Sequence, residues 1–258
     1  MSIKNQNTYF TFASTMNIKS HIPNTITSLN LICGCRASIA FLQGENELGI
    51  TLVIAALVFD FLDGFVARLL DVKSEIGKQL DSLADMVTFG VVPGIILYVA
   101  LLQSTSFQIE LFDQSISPIP YIGFLITVFS ALRLAKFNLD TRQTDSFIGL
   151  PTPANTILFL TIPLSLIYAD ESSLTTNLIS NPYVLLTFIV VFSYLLIAEI
   201  PLLSLKFKNY SWKDNKEKYT LLISSIALLW LFTFLASVFI IVLYLIISII
   251  HNVSKSNQ

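Results

Sequence analysis

From Thr220 to Ile250 the chain runs 31 residues without one charged side chain. Wound as a helix, such a run is about 46 Å long, against a bilayer hydrocarbon core of about 30 Å. Shorter runs of the same kind recur at Thr25–Leu42, Leu48–Leu70, Leu80–Leu102, Tyr121–Phe137, Thr152–Tyr168 and Tyr183–Leu203. Backbone polar groups in hydrocarbon must be satisfied within the segment, which makes helices the expected form. Composition agrees. Apolar residues make up 54% and charged residues 12%, where a soluble domain carries about 25% charged residues. Mean hydropathy is +0.73. The expected fold is therefore all-α, a polytopic membrane helix bundle. It has eight transmembrane helices if the last run folds back near Ala236–Ser237, and seven if that run stays one tilted helix. No Gly or Pro marks the turn, and eight is the preferred reading.

Residues 1–22 are polar and aromatic, without the apolar core of a signal peptide. They are expected to form a cytoplasmic N-terminal arm. Residues 23–205 then form the membrane domain, and 206–258 a basic loop with the C-terminal transmembrane segment or segments. With the N-terminus inside, the outer loops Gln43–Glu47, Gln103–Pro120 and Ala169–Pro182 hold no Lys or Arg, and 13 of the 15 basic residues fall on inner segments. By the positive-inside rule this orientation is the expected one. It suits a bacterial inner membrane. The two outliers are Arg36, expected to snorkel or to line the active cavity, and Lys255 in the tail. The basic run Lys206–Lys218 suits anionic lipid headgroups rather than nucleic acid. Cys33 and Cys35, two apart in one apolar run, point to different sides of a helix and read as buried thiols. With His21 and His251 at opposite ends of the chain, no His/Cys metal cluster can be assembled.

Four carboxylates sit where a membrane penalises charge. An Asp at a helix centre costs about 2.5–3.5 kcal/mol to insert. Asp60 and Asp63 are i, i+3 on one helix face, with Gly64 and Ala67 beside them; Gly77, Asp81 and Asp85 form a second stripe at i, i+4, i+8. The short inner loop between the two runs makes their helices antiparallel neighbours, so the stripes are expected to face each other. Like charges gathered there call for a hard divalent cation or two, and oxygen-only ligation favours Mg²⁺ or Mn²⁺. The small residues either give a flat ligand access to the backbone or serve helix packing. A cation transporter is the competing reading of carboxylates in a membrane. It predicts polar lining on several helices, whereas these four cluster at the inner ends of one hairpin beside an Arg, which suits a phosphate ligand.

The stretch Asp60-Phe-Leu-Asp63-Gly64-Phe-Val-Ala67-Arg68, eight residues, then Gly77-Lys-Gln-Leu-Asp81-Ser-Leu-Ala-Asp85 resembles the signature of the CDP-alcohol phosphatidyltransferase family at all eight fixed positions. The resemblance extends over roughly residues 20–210. Within the family, Leu80–Pro93, Ala131–Asn138, Phe147–Pro153 and Pro23–Asn30 resemble the phosphatidylserine synthase branch. Ser82 stands where the glycerol-phosphate branch typically has Pro.

The resemblance implies an enzyme that joins CDP-diacylglycerol to L-serine and releases CMP. Inositol phosphate, choline or glycerol phosphate are the alternative acceptors. It implies metal ligation by Asp60, Asp63 and Asp81, and Asp85 as the base or as a ligand to a second ion. Gly64, Ala67 and Gly77 would make room for the nucleotide, and Arg68 would pair with a phosphate. Thr27 and Asn30 are either polar contacts to CDP-diacylglycerol or helix-capping residues. Arg133 and Lys136 either anchor the chain at the inner surface or capture the serine carboxylate or lipid phosphate. Asn138 and Thr152 would add hydrogen bonds there. The resemblance also suggests a homodimer.

Overall fold

The structure is a computed structural model and describes residues 18–72, 74–105, 109–111, 114–140, 147–170, 173–203, 211–212 and 215–256. Most of the N-terminal arm, with Lys4, lies outside the described residues, as do Lys73, Arg142, Lys206, Lys208, Lys213 and the Lys255 side chain.

The chain is mostly helical. Helix α1 spans His21–Leu42, α2 spans Asn46–Leu69, and α3 spans Glu75–Met86. A π-helical turn, Val87–Val91, joins α3 to α4, Val92–Ser104. Then come a small antiparallel pair (β1, Ile109–Leu111; β2, Gln114–Ile116), a 3₁₀ turn at Ile119–Phe124 and α5, Leu125–Leu139. Strand β3, Phe147–Ile148, precedes α6, Thr152–Phe159, and α7, Thr161–Tyr168. The rest is α8, Leu174–Ile179; α9, Pro182–Ile197; β4, Pro201–Leu202; α10, Lys216–Phe232; and α11, Ala236–Ser256.

Among the described residues four helical stretches are long and apolar enough to cross a membrane: His21–Leu42, Asn46–Leu69, Glu75–Ser104 and Ile119–Leu139. Shorter apolar helices cover Thr152–Tyr168, Pro182–Ile197 and Ala236–Asn252. Large apolar side chains cover the outside, Phe61, Leu69, Leu83, Tyr194 and Trp230 among them. On a water-soluble protein such a surface would be an association site; lipid is its natural solvent. Glu75–Ser104 is the most buried of the long stretches. Its α4 segment carries the centre of the core, with Val92, Ile96, Leu97 and Leu101 packed among Phe41, Val53, Ile126, Phe159 and Ile189.

Prolines decide where the expected runs break. Pro163 removes the N–H that would reach Phe159 four residues back, and the run Thr152–Tyr168 splits at Leu160. The expected span Tyr183–Leu203 stops short. Its helix ends at Ile197, ahead of Pro201, and residues 201–202 leave as a strand. The final apolar run is two helices that pack together, and the break falls at Thr233–Leu235, next to the expected Ala236–Ser237. There Thr233 takes a positive φ of 46°.

Strand β4 pairs antiparallel with β3, Phe147 opposite Leu202 and Ile148 opposite Pro201. Just after β3, Gly149 has φ +77°, and a Cβ there would sit 2.6 Å from the Leu196 carbonyl oxygen. Only glycine allows the chain to turn so close to the end of α9. That turn delivers Pro151 and Thr152 to the start of α6.

Candidate active site

Helix α1 is the backbone of the site. Both α2 and α3 pack on it, and they pack far less on each other. A cleft of about 370 Å³ opens between them. Its lining includes Pro23, Asn24 and Thr27 of α1, Asp63, Gly64 and Ala67 of α2, and Gly77 and Asp81 of α3. The turn into α3 is held by Ser74, whose Oγ accepts from the Gly77 N–H at 3.2 Å.

The stripes nonetheless converge. Carboxylate oxygens of Asp60, Asp63 and Asp81 all lie within 4.8 Å of one another. Asp85 stands outside that trio but lies near enough to Asp60 for the two carboxyl groups to interact. Asp63 is buried, and Thr27 Oγ1 donates to its Oδ2 at 2.6 Å. That hydroxyl also lies 3.0 Å from the Pro23 carbonyl. Its single proton favours the carboxylate, because bonds to a charged acceptor are the stronger.

Asn30 is fully buried; its Nδ2 reaches Asp85 Oδ1 at 3.5 Å and its Oδ1 accepts from Thr88 Oγ1 at 2.9 Å. The two contacts fix which way the amide faces. Thr27 and Asn30 are thus side-chain partners of two of the four aspartates, beyond the helix-capping alternative. Arg133 is buried on α5, lies over the Phe137 ring at 5.1 Å, and Asp85 acts on it electrostatically. Among the described residues no salt bridge neutralises any of the four aspartates. Three carboxylates within ligand reach, oxygen donors only and uncompensated by cationic side chains, fit a hard divalent cation.

The other expected residues sort by position. A Cβ at Gly64 would meet nothing nearer than an Arg68 nitrogen at 3.7 Å, so Gly64 faces open cleft. A Cβ at Gly77 would lie 2.9 Å from Asn24 Oδ1, so Gly77 lets α3 approach α1 as well as lining the cleft. Arg68 and Lys136 are exposed. Asn138 Nδ2 donates to Ser82 Oγ at 2.8 Å, which ties α5 to α3. Arg36 does not line the cleft. It pairs with Glu45 at 2.8 Å near the far end of α1, which corrects the cavity alternative and leaves snorkelling as its explanation. Both cysteines are free thiols, Cys33 half-buried and Cys35 exposed, so the expectation of two buried thiols fails for Cys35.

Sequence reasoning missed the π-turn. Pro93 has no N–H for the Phe89 carbonyl, and its ring crowds that oxygen. The helix widens over Val87–Val91, and hydroxyls from two other helices take the released carbonyls. Thr156 Oγ1 donates to the Phe89 carbonyl at 3.1 Å, and Thr127 Oγ1 to the Gly90 carbonyl at 2.8 Å. The available signal was Pro93 four residues after Phe89, with threonines in two apolar runs. π-Turns inside helices cluster at functional sites, and this one begins two residues after Asp85.

Residues 20–196 match the family described as CDP-alcohol phosphatidyltransferase. The chain belongs to that family. It is a transferase of phospholipid biosynthesis and an integral membrane protein. A CDP-diacylglycerol–serine O-phosphatidyltransferase of Bacillus subtilis (strain 168) is 34% identical over 138 residues, covering 52% of this chain and 70% of that protein. One of the same name from Mycobacterium leprae (strain TN) is 37% identical, covering 53% of this chain and 44% of that protein. An archaetidylserine synthase of Methanothermobacter thermautotrophicus is 30% identical, covering 59% of this chain and 61% of that protein. The phosphatidyltransferase match ends at residue 196, ahead of β4, α10 and α11.

Proposed function

We propose that this phosphatidyltransferase moves the phosphatidyl group of CDP-diacylglycerol to L-serine, giving phosphatidylserine and CMP. The observation that carries the chemistry is the convergence of Asp60, Asp63 and Asp81 beside an open cleft. The choice of serine is supported by the relatives' shared name and by the Ser82–Asn138 hydrogen bond, made where a Pro at 82 would have no hydroxyl.

Asp60, Asp63 and Asp81 would hold Mg²⁺ or Mn²⁺, with Asp85 available to a second ion. Bound there, the metal supplies positive charge against the pyrophosphate oxygens. The nucleotide lies in the cleft along Gly64, Ala67 and Gly77, with its acyl chains in the bilayer and Arg68 near enough to the rim to meet a phosphate. Asp85 accepts the proton of the serine hydroxyl as that oxygen bonds to the β-phosphorus. The bond from phosphorus to the bridging oxygen breaks, and CMP leaves with the electron pair. Thr27 and Asn30 orient Asp63 and Asp85. Arg133, with Lys136 at the rim, draws the serine carboxylate toward Asp85. The site faces the cytoplasm of a bacterial inner membrane, with eight spans in all, and the working protein is a homodimer.

The test is CMP release from CDP-diacylglycerol across serine, choline, glycerol phosphate and inositol phosphate, with Mg²⁺ or Mn²⁺. Serine is expected to give the highest kcat/KM. Faster release with a different alcohol would sink the serine assignment and keep the transfer chemistry.

A further inference from the structure

Polar atoms buried without partners gather on α5 and α6. Among the described residues no hydrogen-bond partner exists for Ser130 Oγ, Arg133 Nε, Thr152 Oγ1, or either Nδ2 or Oδ1 of Asn155. Thr152 and Asn155 are fully buried and Arg133 nearly so. An amide with both ends unpaired forfeits its hydration and receives nothing in return, and such a group is retained where a ligand answers it.

The helix register places Arg133 and Thr152 at the level of Asp85, with Ser130 and Asn155 about one turn further along their helices. Thr156 on α6 reaches the Phe89 carbonyl. One turn nearer the helix starts lie Thr152 on α6 and Asp85 on α3. On α5, which runs the opposite way, Thr127 reaches the Gly90 carbonyl and Ser130 lies beside Gly90. The next turn brings Arg133, on which Asp85 acts electrostatically. Asn155 shares the Thr152 face at i, i+3. The first N–H groups of α6 add a positive helix end at the same place.

We propose that Thr152, Asn155 and the Nε–H of Arg133 form the subsite that reads the α-amino-acid end of the acceptor. This rests on the serine reading given above. A zwitterion needs donors for its carboxylate and an acceptor for its ammonium within one small site. Arg133 Nε–H, the Thr152 hydroxyl and Asn155 Nδ2 are donors, and Asn155 Oδ1 is an acceptor. One buried guanidinium also matches one carboxylate better than a dianionic phosphate, so the subsite selects serine over a phosphorylated alcohol.

Transfer is measured on the full-length protein, varying serine at saturating CDP-diacylglycerol and the reverse. Asn155→Leu and Thr152→Val keep side-chain volume and remove the polar atoms. Each is expected to raise the KM for serine about 10-fold or more, with the KM for CDP-diacylglycerol unchanged and the melting temperature unchanged or higher. Thr152→Ser, which restores the hydroxyl, is expected to return the KM toward wild type. A serine KM within about twofold of wild type in both variants overturns the subsite alone. Should Asn155→Leu fail to fold, Thr152→Val decides by the same criterion. A wild-type protein that releases CMP with choline or glycerol phosphate but not with serine overturns the serine reading, and the subsite with it.

Discussion

The cleft between α2 and α3 and the buried polar groups of α5 and α6 are both polar regions in an apolar bundle, yet they are built in opposite ways. In the cleft the protein partners two of its four aspartates: Thr27 holds Asp63, Asn30 holds Asp85, and Thr88 holds Asn30. In the α5–α6 layer the hydroxyls of Thr127 and Thr156 serve the π-turn, and the atoms beside them are left without partners among the described residues. A fully hydrogen-bonded set holds geometry, whereas unpaired buried groups are costly until something binds. Under the proposed function, the difference separates a rigid centre for the phosphates from a site completed by the small substrate.

The largest expected effect falls on the rigid centre. Asp85→Asn keeps the shape of the side chain and its contact with Asn30, but removes the carboxylate proposed to accept the serine proton. A fall in kcat of about 10²–10⁴ is expected, with both KM values little changed, as for loss of a general base. Turnover near wild type would move the base elsewhere and leave Asp85 a purely electrostatic role. Next come the residues that orient the carboxylates. Thr27→Val is expected to raise the Mg²⁺ or Mn²⁺ concentration needed for half activity by about 10–100-fold. The serine KM at saturating metal is expected to stay unchanged. A shift in serine KM instead would erase the distinction between the two pockets.

Much of the first pocket was legible in the sequence. The aspartate spacing put each pair on one helix face, and uncharged surroundings made them expensive enough to need a cation. The second pocket was hidden because its parts come from α5 and α6, far apart along the chain. They are aligned by a π-turn that no periodicity announces. Even in the first pocket, the sequence did not show that both acidic helices pack chiefly on α1. Small residues at Gly64 and Gly77 look alike as letters; only the neighbours reveal that one faces space and the other Asn24. The helix boundaries suffered from the same blindness. Hydropathy counts apolar residues, while Pro163 and Pro201 decide where helices stop.

Those two glycines sharpen the comparison at an intermediate scale. Gly64→Val is expected to fold normally, since a Cβ there meets nothing closer than 3.7 Å, and to raise the KM for CDP-diacylglycerol severalfold by narrowing the cleft. Gly77→Ala places its methyl 2.9 Å from Asn24 Oδ1, and the expected result is a lower melting temperature, because the Asn24 amide or α3 must shift. Equal thermal effects in the two variants would contradict the open face assigned to Gly64.

The smallest effect is expected from the C-terminal hairpin, which lies beyond the family match. On α11, Tyr244, Ser248 and Asn252 recur every four residues and grip one short stretch of backbone. Tyr244 donates to the Leu203 carbonyl at 2.8 Å, Ser248 Oγ accepts from the Leu203 N–H at 3.0 Å, and Asn252 donates to the Pro201 carbonyl at 2.5 Å. That stretch pairs with β3, and the Gly149 N–H reaches the Ile200 carbonyl just before α6 begins. The hairpin therefore steadies the approach to Thr152 from outside, and α11 also packs on α6. Each bond is worth about 0.5–1.5 kcal/mol net. Replacing the three together by Phe, Ala and Ala is expected to lower the melting temperature by several degrees, with the serine KM changed at most about twofold and the metal requirement not at all. If that variant lost transfer as completely as Asp85→Asn, the hairpin would belong to the catalytic unit, and the boundary drawn at residue 196 would mark where sequence similarity ends rather than where the machinery does.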